Sequence, residues 1–549
     1  MSHTRYKKNY FTPPNPCRAW SEKEAITKAP LWCSVDLRDG NQALIIPMSL
    51  DEKIDFFKLL VELGFKEIEV GFPAASATEY EFVRTLITQN LIPEDVSIQV
   101  LTQARDHIIK KTFESLRGCP NAIVHFYNST SVAQREQVFK KSKEEIKAIA
   151  ANGARLCKEL AGQIEGNFRF EYSPESFTGT ELEYALEVCN EVIDIFKPSL
   201  DKKLIINLPA TVELSLPHIY ASAVEYMSKN LNERDKVLVS LHAHNDRGCA
   251  VAATELGVLA GADRVEGTLF GNGERTGNVD LITLAMNLYT HGVDPKLDFS
   301  DIPRICELYE RVSKMKVYDR QPYSGKLVFA AFSGSHQDAI AKGMDFHEKN
   351  QLKTWSVPYL PIDPKDVGRV YESDVIRINS QSGKGGIAYV LHGHGIDLPV
   401  GFREDFSYFI KDLSDKKHKE LSPEEILEIF HKEFVNLTEP LSVPHFEFKK
   451  KDKISVEIRS VFKQEERLIK GSGNGRLDAV ANALRENLKL EFDIVDYSEH
   501  SLREGSSSQA ISYVQIKSKD KKLFGVGIDT DIINASIYGL ISAINLSLR

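Results

Sequence analysis

Between about residues 31 and 269, short apolar, β-branched runs alternate with longer amphipathic segments of helical period. Eight such runs recur, at residues 32–37, 67–72, 97–102, 122–127, 168–172, 204–208, 237–241 and 264–269. A short apolar run followed by a helix-length pattern is the signature of a βα unit. Eight units in succession predict an α/β fold, a closed (β/α)8 or TIM barrel. An open doubly wound sheet competes with it, but the first run is not followed by the G-x-G-x-x-G turn that a dinucleotide would require. Beyond the barrel, helical patterns cover residues 301–315, 334–349, 403–413 and 422–434, and prolines at 440 and 444 punctuate the chain. The last 110 or so residues carry a weak internal repeat. Residues 455–459, Gly471-x-Gly473 and a helix from Leu477 answer to residues 512–516, Gly525-x-Gly527 and a helix from Ile532. Two copies of strand, glycine turn and helix predict a small pseudo-twofold α+β module. The expected division is an N-terminal extension (1–30), the barrel (31–300), helical linker subdomains (301–440) and a C-terminal α+β domain (441–549).

Composition narrows the function classes. The chain has 549 residues, 42% of them hydrophobic and 27% charged, with a formal net charge of −9. That balance supports two or three domains with full cores and supplies no basic field for nucleic acid or an anionic membrane. No apolar run reaches the roughly 18 residues of a membrane span, and the first residues hold no signal-peptide core. Seven scattered cysteines without a C-x-x-C point to a reducing compartment, and the cytoplasm is the expected location.

In a barrel of this kind the chemistry gathers at the C-terminal ends of the strands. Those ends read Arg38-Asp39-Gly40-Asn41-Gln42 after strand one, His125 and Tyr127 in strand four, and Tyr172-Ser173-Pro174-Glu175 in strand five. Strand six ends Asn207-Leu208-Pro209-Ala210-Thr211, strand seven His242-Ala243-His244-Asn245-Asp246, and strand eight runs into Gly271-Asn272-Gly273-Glu274-Arg275-Thr276-Gly277-Asn278. Histidines at i and i+2 of a strand share a face and can share a metal ion. With Asp39 they offer one carboxylate and two imidazoles, leaving coordination positions open for substrate and water. An amide from Asn278 would tilt the choice toward Mg²⁺ or Mn²⁺, while two imidazoles keep Zn²⁺ in play. A 2-oxo acid chelates such a centre through its carboxylate and ketone. Arg38 can meet a second developing charge such as a thioester enolate, which together describe an aldol-type carbon–carbon bond formation. The plainer reading of Arg38 is a salt bridge to Asp36 or to a carboxylate at the barrel mouth. Glu175 is a candidate base, and His125 and Ser173 are candidate pocket residues.

The segments Asp36–Gln42, Tyr172–Ser176, Asn207–Glu213, His242–Asp246 and Gly271–Arg275 resemble those of the 2-isopropylmalate synthase family. Gly334-Ser335-His336-Gln337-Asp338-Ala339 adds to the match, which runs from about Arg18 to the C-terminus and is closest to the longer-chain type. The resemblance implies condensation of acetyl-CoA with 3-methyl-2-oxobutanoate and thioester hydrolysis to 2-isopropylmalate and CoA, the committed step toward leucine. It implies a divalent cation, Mg²⁺ first with Mn²⁺ or Zn²⁺ as alternatives, held by Asp39, His242, His244 and Asn278, with K⁺ as an activator. Arg38 would stabilise the thioester oxygen, Thr211 would bind the oxo acid, and Glu175 with His336 would abstract the proton, assisted by Tyr371. His336 and Tyr371 would come from the partner subunit of a homodimer. The C-terminal repeat would be the regulatory domain where leucine inhibits, with residues 471–474, 496–500 and 525–529 nearest the ligand. Citramalate and homocitrate synthases and hydroxymethylglutaryl-CoA lyase share the metal set and Arg38, so a different oxo acid is the alternative. A leucine sensor with a silent barrel is a remote one, since a sensor needs neither the metal nor the base.

Overall fold

The computed structural model describes residues 2–331, 333–371, 387, 390–392, 394–417, 421–450, 453–502 and 508–549. It divides into two compact units, one comprising 1–328 with 362–370 and the other 329–361 with 371–549.

The first unit is a closed barrel of eight parallel strands in sequence order. They are β1 (Leu31–Ser34), β2 (Glu67–Gly71), β3 (Ser97–Gln103), β4 (Asn121–Ser129), β5 (Asn167–Glu175), β6 (Leu204–Ala210), β7 (Val237–Ala243) and β8 (Arg264–Gly267). Helices α1 (Leu50–Glu62), α2 (Ala77–Thr88), α3 (Asp106–Ser115), α4 (Lys143–Ala161), α5 (Leu182–Phe196), α6 (Pro217–Asn230), α7 (Ala250–Leu259) and α8 (Leu281–Thr290) alternate with them, and α9 (Ile302–Ser313) comes after. The predicted first strand ends three residues early. Val35 N–H still bonds Gly267 O, but the Asp36 carboxylate accepts from Leu269 N–H and replaces the next rung of the ladder. Residues Asp36–Gly40 then wind into a π-helical turn, closed by Gly40 N–H to Val35 O at 3.1 Å, which carries Arg38 and Asp39 at the barrel mouth.

Parallel strands covered on both faces usually read as continuous apolar runs. Here alternate residues are charged and buried: Glu67 and Glu69 on β2, Glu171 on β5, and Arg264 and Glu266 on β8. Alternation sends these to the barrel interior while Ile68, Val70 and Val265 face the helices. The interior closes around the fully buried Arg264, whose guanidinium donates to Glu67, to Glu266 at 2.8 Å and to Gln99 Oε1 at 2.8 Å. Burial, followed by the charge of Glu266, pushes the Glu171 carboxyl well up, against the lowering effect of Arg264.

In the second unit α10 (Gly334–Lys349), α11 (Val400–Lys417) and α12 (Pro423–Phe434) precede two three-stranded antiparallel sheets. One comprises β9 (Leu441–Lys450), β10 (Ile454–Phe462) and β11 (Glu465–Gly473) and is followed by α13 (Arg476–Leu488). The other comprises β12 (Asp493–Ser501), β13 (Ala510–Ser518) and β14 (Lys521–Asp529) and is followed by α14 (Ile532–Leu548). The repeat read in the sequence is present, with one further strand ahead of each copy. Val456, Ile458 and Leu484 of one copy share an apolar core with Val514, Ile516 and Leu540 of the other. The paired glycines are not turns. They sit in β11 and β14, where a Cβ on Gly527 would lie 1.8 Å from Ala535 O and one on Gly525 2.0 Å from Ala543 N. Glycine there lets the helix backbone lie directly on the strand.

Candidate active site

A cavity of about 260 Å³ opens at the C-terminal ends of the strands. Asp39, His242 and His244 meet in its wall, all buried, with ligand atoms within 4.8 Å of one another. His242 ends its strand nearly at the mouth and His244 lies one residue beyond β7, yet their rings remain side by side with centroids 5.3 Å apart. Both turn Nε2 toward Asp39 Oδ2, at 3.5 and 3.7 Å. Burial alone would raise the Asp39 carboxyl, but Arg38 and the imidazoles bring it far below the usual carboxylate range. Burial likewise disfavours a charged His242, yet hydrogen bonds to Asp39 and Glu266 lift it to about 9; burial and the neighbouring His242 lower His244 to about 4. Asn278 Nδ2 donates to Asp39 Oδ2 at 2.7 Å, and its buried Oδ1 has no hydrogen-bond partner among the described groups.

This donor set fits a divalent cation. Three convergent buried groups and an orphaned amide oxygen offer more acceptor capacity than the protein itself uses. Glu266 Oε2 accepts from His242 Nδ1 at 2.8 Å, so a cation that displaced the other ring proton would meet this histidine at Nε2. A second buried group, Glu69, His125 and Glu266, has similar spacing. There Gln99 Nε2 already occupies the centre, donating to Glu69 Oε2 at 2.7 Å and Glu266 Oε1 at 2.8 Å, so it is a filled polar network.

Arg38 is paired with Glu69 through Nε and with Asp39 through Nη1 at 2.9 Å, not with Asp36. Neither pair uses Nη2, and Arg38 lines the cavity. Glu175, at the end of β5, lines the same cavity; Ser129 of the adjacent β4 donates to its Oε2. Burial raises the Glu175 carboxyl against the opposing effects of Ser129 and Arg38. Thr211 Oγ1 accepts from Ser176 N–H at 2.9 Å, leaving its own proton to donate. His125 is buried between Glu69 Oε2 and Ser173 Oγ, each at 2.7 Å from a ring nitrogen. Glu69 is an acceptor at Nδ1, and Ser173 Oγ, at Nε2, also accepts from Asn207 Nδ2 at 3.0 Å.

His336 and Tyr371 belong to the second unit. His336 is exposed near the start of α10 and stacks on Tyr359 with centroids 4.0 Å apart; Tyr371 is half-buried. Sequence reasoning missed Glu69, Glu266, Ser129 and Arg275. Glu69 and Glu266 had a signal in the strict alternation of acid with aliphatic residues in Glu67-Ile68-Glu69-Val70 and Arg264-Val265-Glu266, which marks a polar barrel interior.

The second unit has its own cavity of about 600 Å³ between the two copies of the repeat. Arg476, Asp478, Arg485 and Asp493 line it with Tyr497 and Ile537. The three segments expected as loops nearest a ligand lie instead in strands, 471–473 in β11, 496–500 in β12 and 525–529 in β14, and only the one containing Tyr497 contributes to this lining.

Three family models match in succession: HMGL-like over residues 29–308, "Alpha-isopropylmalate synthase, post-catalytic domain-like" over 326–392, and "LeuA allosteric (dimerisation) domain" over 420–548. The 2-isopropylmalate synthase of Helicobacter hepaticus is 72% identical, covering 99% of this chain and 100% of its own length. That of Desulfitobacterium hafniense is 61% identical over 99% of this chain and 98% of its own, and that of Clostridium acetobutylicum 54% identical over 96% and 97%. Identity of this order across the barrel, the linker and the C-terminal repeat alike means that the chain belongs to the 2-isopropylmalate synthase family.

Proposed function

We infer that the protein condenses acetyl-CoA with 3-methyl-2-oxobutanoate and hydrolyses the thioester to 2-isopropylmalate and CoA, the committed step toward leucine, under feedback inhibition by leucine. The observation that carries this reading is the convergence of Asp39, His242 and His244 in one cavity with Arg38, Glu175 and Thr211. Asp39, His242 and His244 would hold a divalent cation, joined by Asn278 through Oδ1 once its amide turns over. Such a cation would be chelated by the oxo acid through its carboxylate and ketone oxygens and would supply Lewis-acid polarisation of the ketone.

The chain's own groups supply the rest. Thr211 donates its free hydroxyl proton to the oxo-acid carboxylate. Arg38, held by two carboxylates, directs Nη2 at the thioester oxygen as it gains negative charge. Glu175 takes a methyl proton from acetyl-CoA; its raised carboxyl makes it a stronger base than an exposed glutamate. His336 and Tyr371 would complete the proton pathway from the partner copy of a homodimer, in accord with the dimerisation domain matched at residues 420–548. Ser173 and His125 spend their hydrogen bonds on each other and on Glu69 and Asn207, so that wall suits an apolar oxo-acid side chain. The cavity of the second unit pairs cationic and anionic side chains beside Leu477, Ile494, Ile533 and Ile537, a setting for a zwitterion with an aliphatic side chain such as leucine. Among the described residues no helix is long and apolar enough to cross a membrane. A cytoplasmic homodimer is the form we assign.

Release of CoA from acetyl-CoA, followed with a thiol reagent, tests the reading when 3-methyl-2-oxobutanoate, pyruvate and 2-oxoglutarate are compared. The first carries two more carbons than pyruvate, each worth about 1–3 kcal/mol in an apolar pocket, so a preference of roughly 30-fold or more over pyruvate is expected. A preference for pyruvate or 2-oxoglutarate defeats it in favour of a citramalate or homocitrate synthase, and no turnover with any of them after Mg²⁺, Mn²⁺ or Zn²⁺ is supplied would leave a leucine sensor.

A further inference from the structure

The loop after β8, Gly271-Asn272-Gly273-Glu274-Arg275-Thr276-Gly277-Asn278, contributes only Asn278 to the proposed cation site, and its remaining residues are otherwise unexplained. The loop is folded tightly on itself. A Cβ on Gly277 would sit 1.9 Å from Gly271 O, and one on Gly273 2.1 Å from Asn278 Nδ2. Between these glycines Arg275 holds a left-handed backbone, φ +58°, which a non-glycine residue keeps only when its surroundings demand it.

The demand comes from both neighbouring sides of the mouth. Arg275 grips Asp246 with two donors, Nε to Oδ1 at 2.6 Å and Nη2 to Oδ2 at 3.1 Å, and Nη2 also donates to the carbonyl of Thr211. Asp246 lies two residues past His244, and its Oδ2 accepts in addition from the backbone N–H of Glu213, two residues past Thr211, at 2.9 Å. On the other side Glu274 accepts from Gln42 Nε2 at 3.0 Å, and Asn272 donates to Gly40 O at 2.9 Å. One loop thus ties together the ends of β1, β6 and β7, the strands that carry Asp39, Thr211 and the two histidines. An exposed ion pair contributes little to stability, and the Arg275 side chain is 41% exposed. What a two-donor grip supplies is direction.

We propose that Arg275 is a positioning residue for oxo-acid binding, acting through Asp246 and the Thr211 carbonyl. The Thr211 hydroxyl already accepts from Ser176, so the bearing of its one free proton follows the Thr211 backbone that Arg275 holds. This rests on the assignment of Thr211 to the oxo-acid carboxylate. Lysine keeps the charge but loses the two-donor geometry.

Arg275→Lys is expected to raise KM for 3-methyl-2-oxobutanoate by ~10-fold or more, because small misplacements at a reacting site cost up to about a hundredfold. KM for acetyl-CoA and the affinity for Mn²⁺ alone, measured by titration, stay within about twofold. Asp246→Asn has the same signature, and the double variant falls short of the sum of the two singles, since both break the Arg275–Asp246 pair while each also loses a contact of its own. Equal rises in KM for both substrates, an unchanged oxo-acid KM, a parallel loss of Mn²⁺ affinity, or strictly additive single effects would overturn the proposal. The comparison uses the oxo acid that the wild-type protein prefers, so an error in substrate assignment shows in the wild type and a failure of the Arg275 role only in the variants.

Discussion

Glu266→Gln probes the site one layer beneath the cation ligands. The carboxylate is fully buried on β8 and accepts four hydrogen bonds: Arg264 Nη1 and Gln99 Nε2 on Oε1, both at 2.8 Å, and His242 Nδ1 at 2.8 Å and Asn207 Nδ2 at 3.2 Å on Oε2. An amide has the same shape but only one acceptor atom, so whichever way it turns two of these contacts become donor against donor. If its NH₂ faces Arg264 and Gln99, the guanidinium loses a counter-charge in a dry interior. If it faces His242, that ring is driven to the other tautomer, with Nδ1 accepting and Nε2 carrying the proton, and Nε2 is the atom turned toward Asp39. Hydrogen bonds to charged groups are worth about 1.5–3 kcal/mol, which puts the structural cost near 3–6 kcal/mol for two. Loss of an acceptor behind a ligating histidine lowers metal affinity by about 10- to 100-fold. Titration with Mn²⁺, monitored by its electron paramagnetic resonance signal, reads the affinity, and far-UV circular dichroism confirms the barrel is intact. A Glu266→Gln protein that keeps both its wild-type thermal stability and its Mn²⁺ affinity within about threefold would refute the claim that this carboxylate holds Arg264 and orients His242, since either orientation of the amide loses one of the two.

Two further substitutions separate the roles of the remaining parts. Ser129→Ala removes the donor that opposes the burial-driven rise of Glu175, so the Glu175 pKa goes higher still; a base must be ionised to work, and the acid limb of the kcat profile should therefore move to higher pH. A limb that stays in place would mean that Glu175 is not the base. Gly527→Ala forces a methyl group to within 1.8 Å of Ala535 O, pushing α14 off β14 at an overpacking cost of about 1–3 kcal/mol. Leucine inhibition should weaken by ~10-fold or more while uninhibited kcat stays within about twofold, and an unchanged inhibition curve would dissociate the repeat from the response.

The barrel was legible because its strands and helices differ in period, and because lopsided placement of polar residues at strand ends follows from where a barrel can do chemistry. Asp39, His242 and His244 could be read for the same reason: each occupies a strand end whose position the pattern already fixes. What escaped was chemistry that depends on side chains replacing backbone. Val35 and Leu37 continue an apolar alternation that predicts a longer first strand, whereas the Asp36 carboxylate takes over the β8 ladder and releases Arg38 and Asp39 into a π turn. Buried Glu67, Glu69 and Glu266 contradict the general rule for barrel interiors, and partners distant in sequence make them tolerable: Arg264, nearly 200 residues from Glu67, for Glu67 and Glu266, and Arg38 with His125 for Glu69. His336 is the opposite case, an exposed helical residue whose interest came from resemblance alone.

Pro440 and Pro444 show how a correct local rule misleads about organisation. Proline interrupts a hydrogen-bonded ladder, which reads as a break, yet β9 begins at Leu441 and runs straight through Pro444. It can do so because β9 is the edge of its sheet, in the order β11-β10-β9, and the pairing with β10 slips between Arg459 and Val461 where Pro444 lies. The helices ahead of these prolines are tied to the sheet beyond them: Phe402 and Phe406 of α11 and Phe430 of α12 share an apolar cluster with Tyr513, Phe524 and Val526 of the second sheet. Truncation at about residue 443 would strip the second sheet's share of that cluster from α11 and α12, each lost buried aromatic side chain costing on the order of 3–5 kcal/mol, and would confound a loss of leucine response with unfolding of the linker. A single methyl at Gly527 perturbs the repeat and leaves the Phe402 cluster its partners, which is why the point substitution and not the deletion isolates regulation from stability.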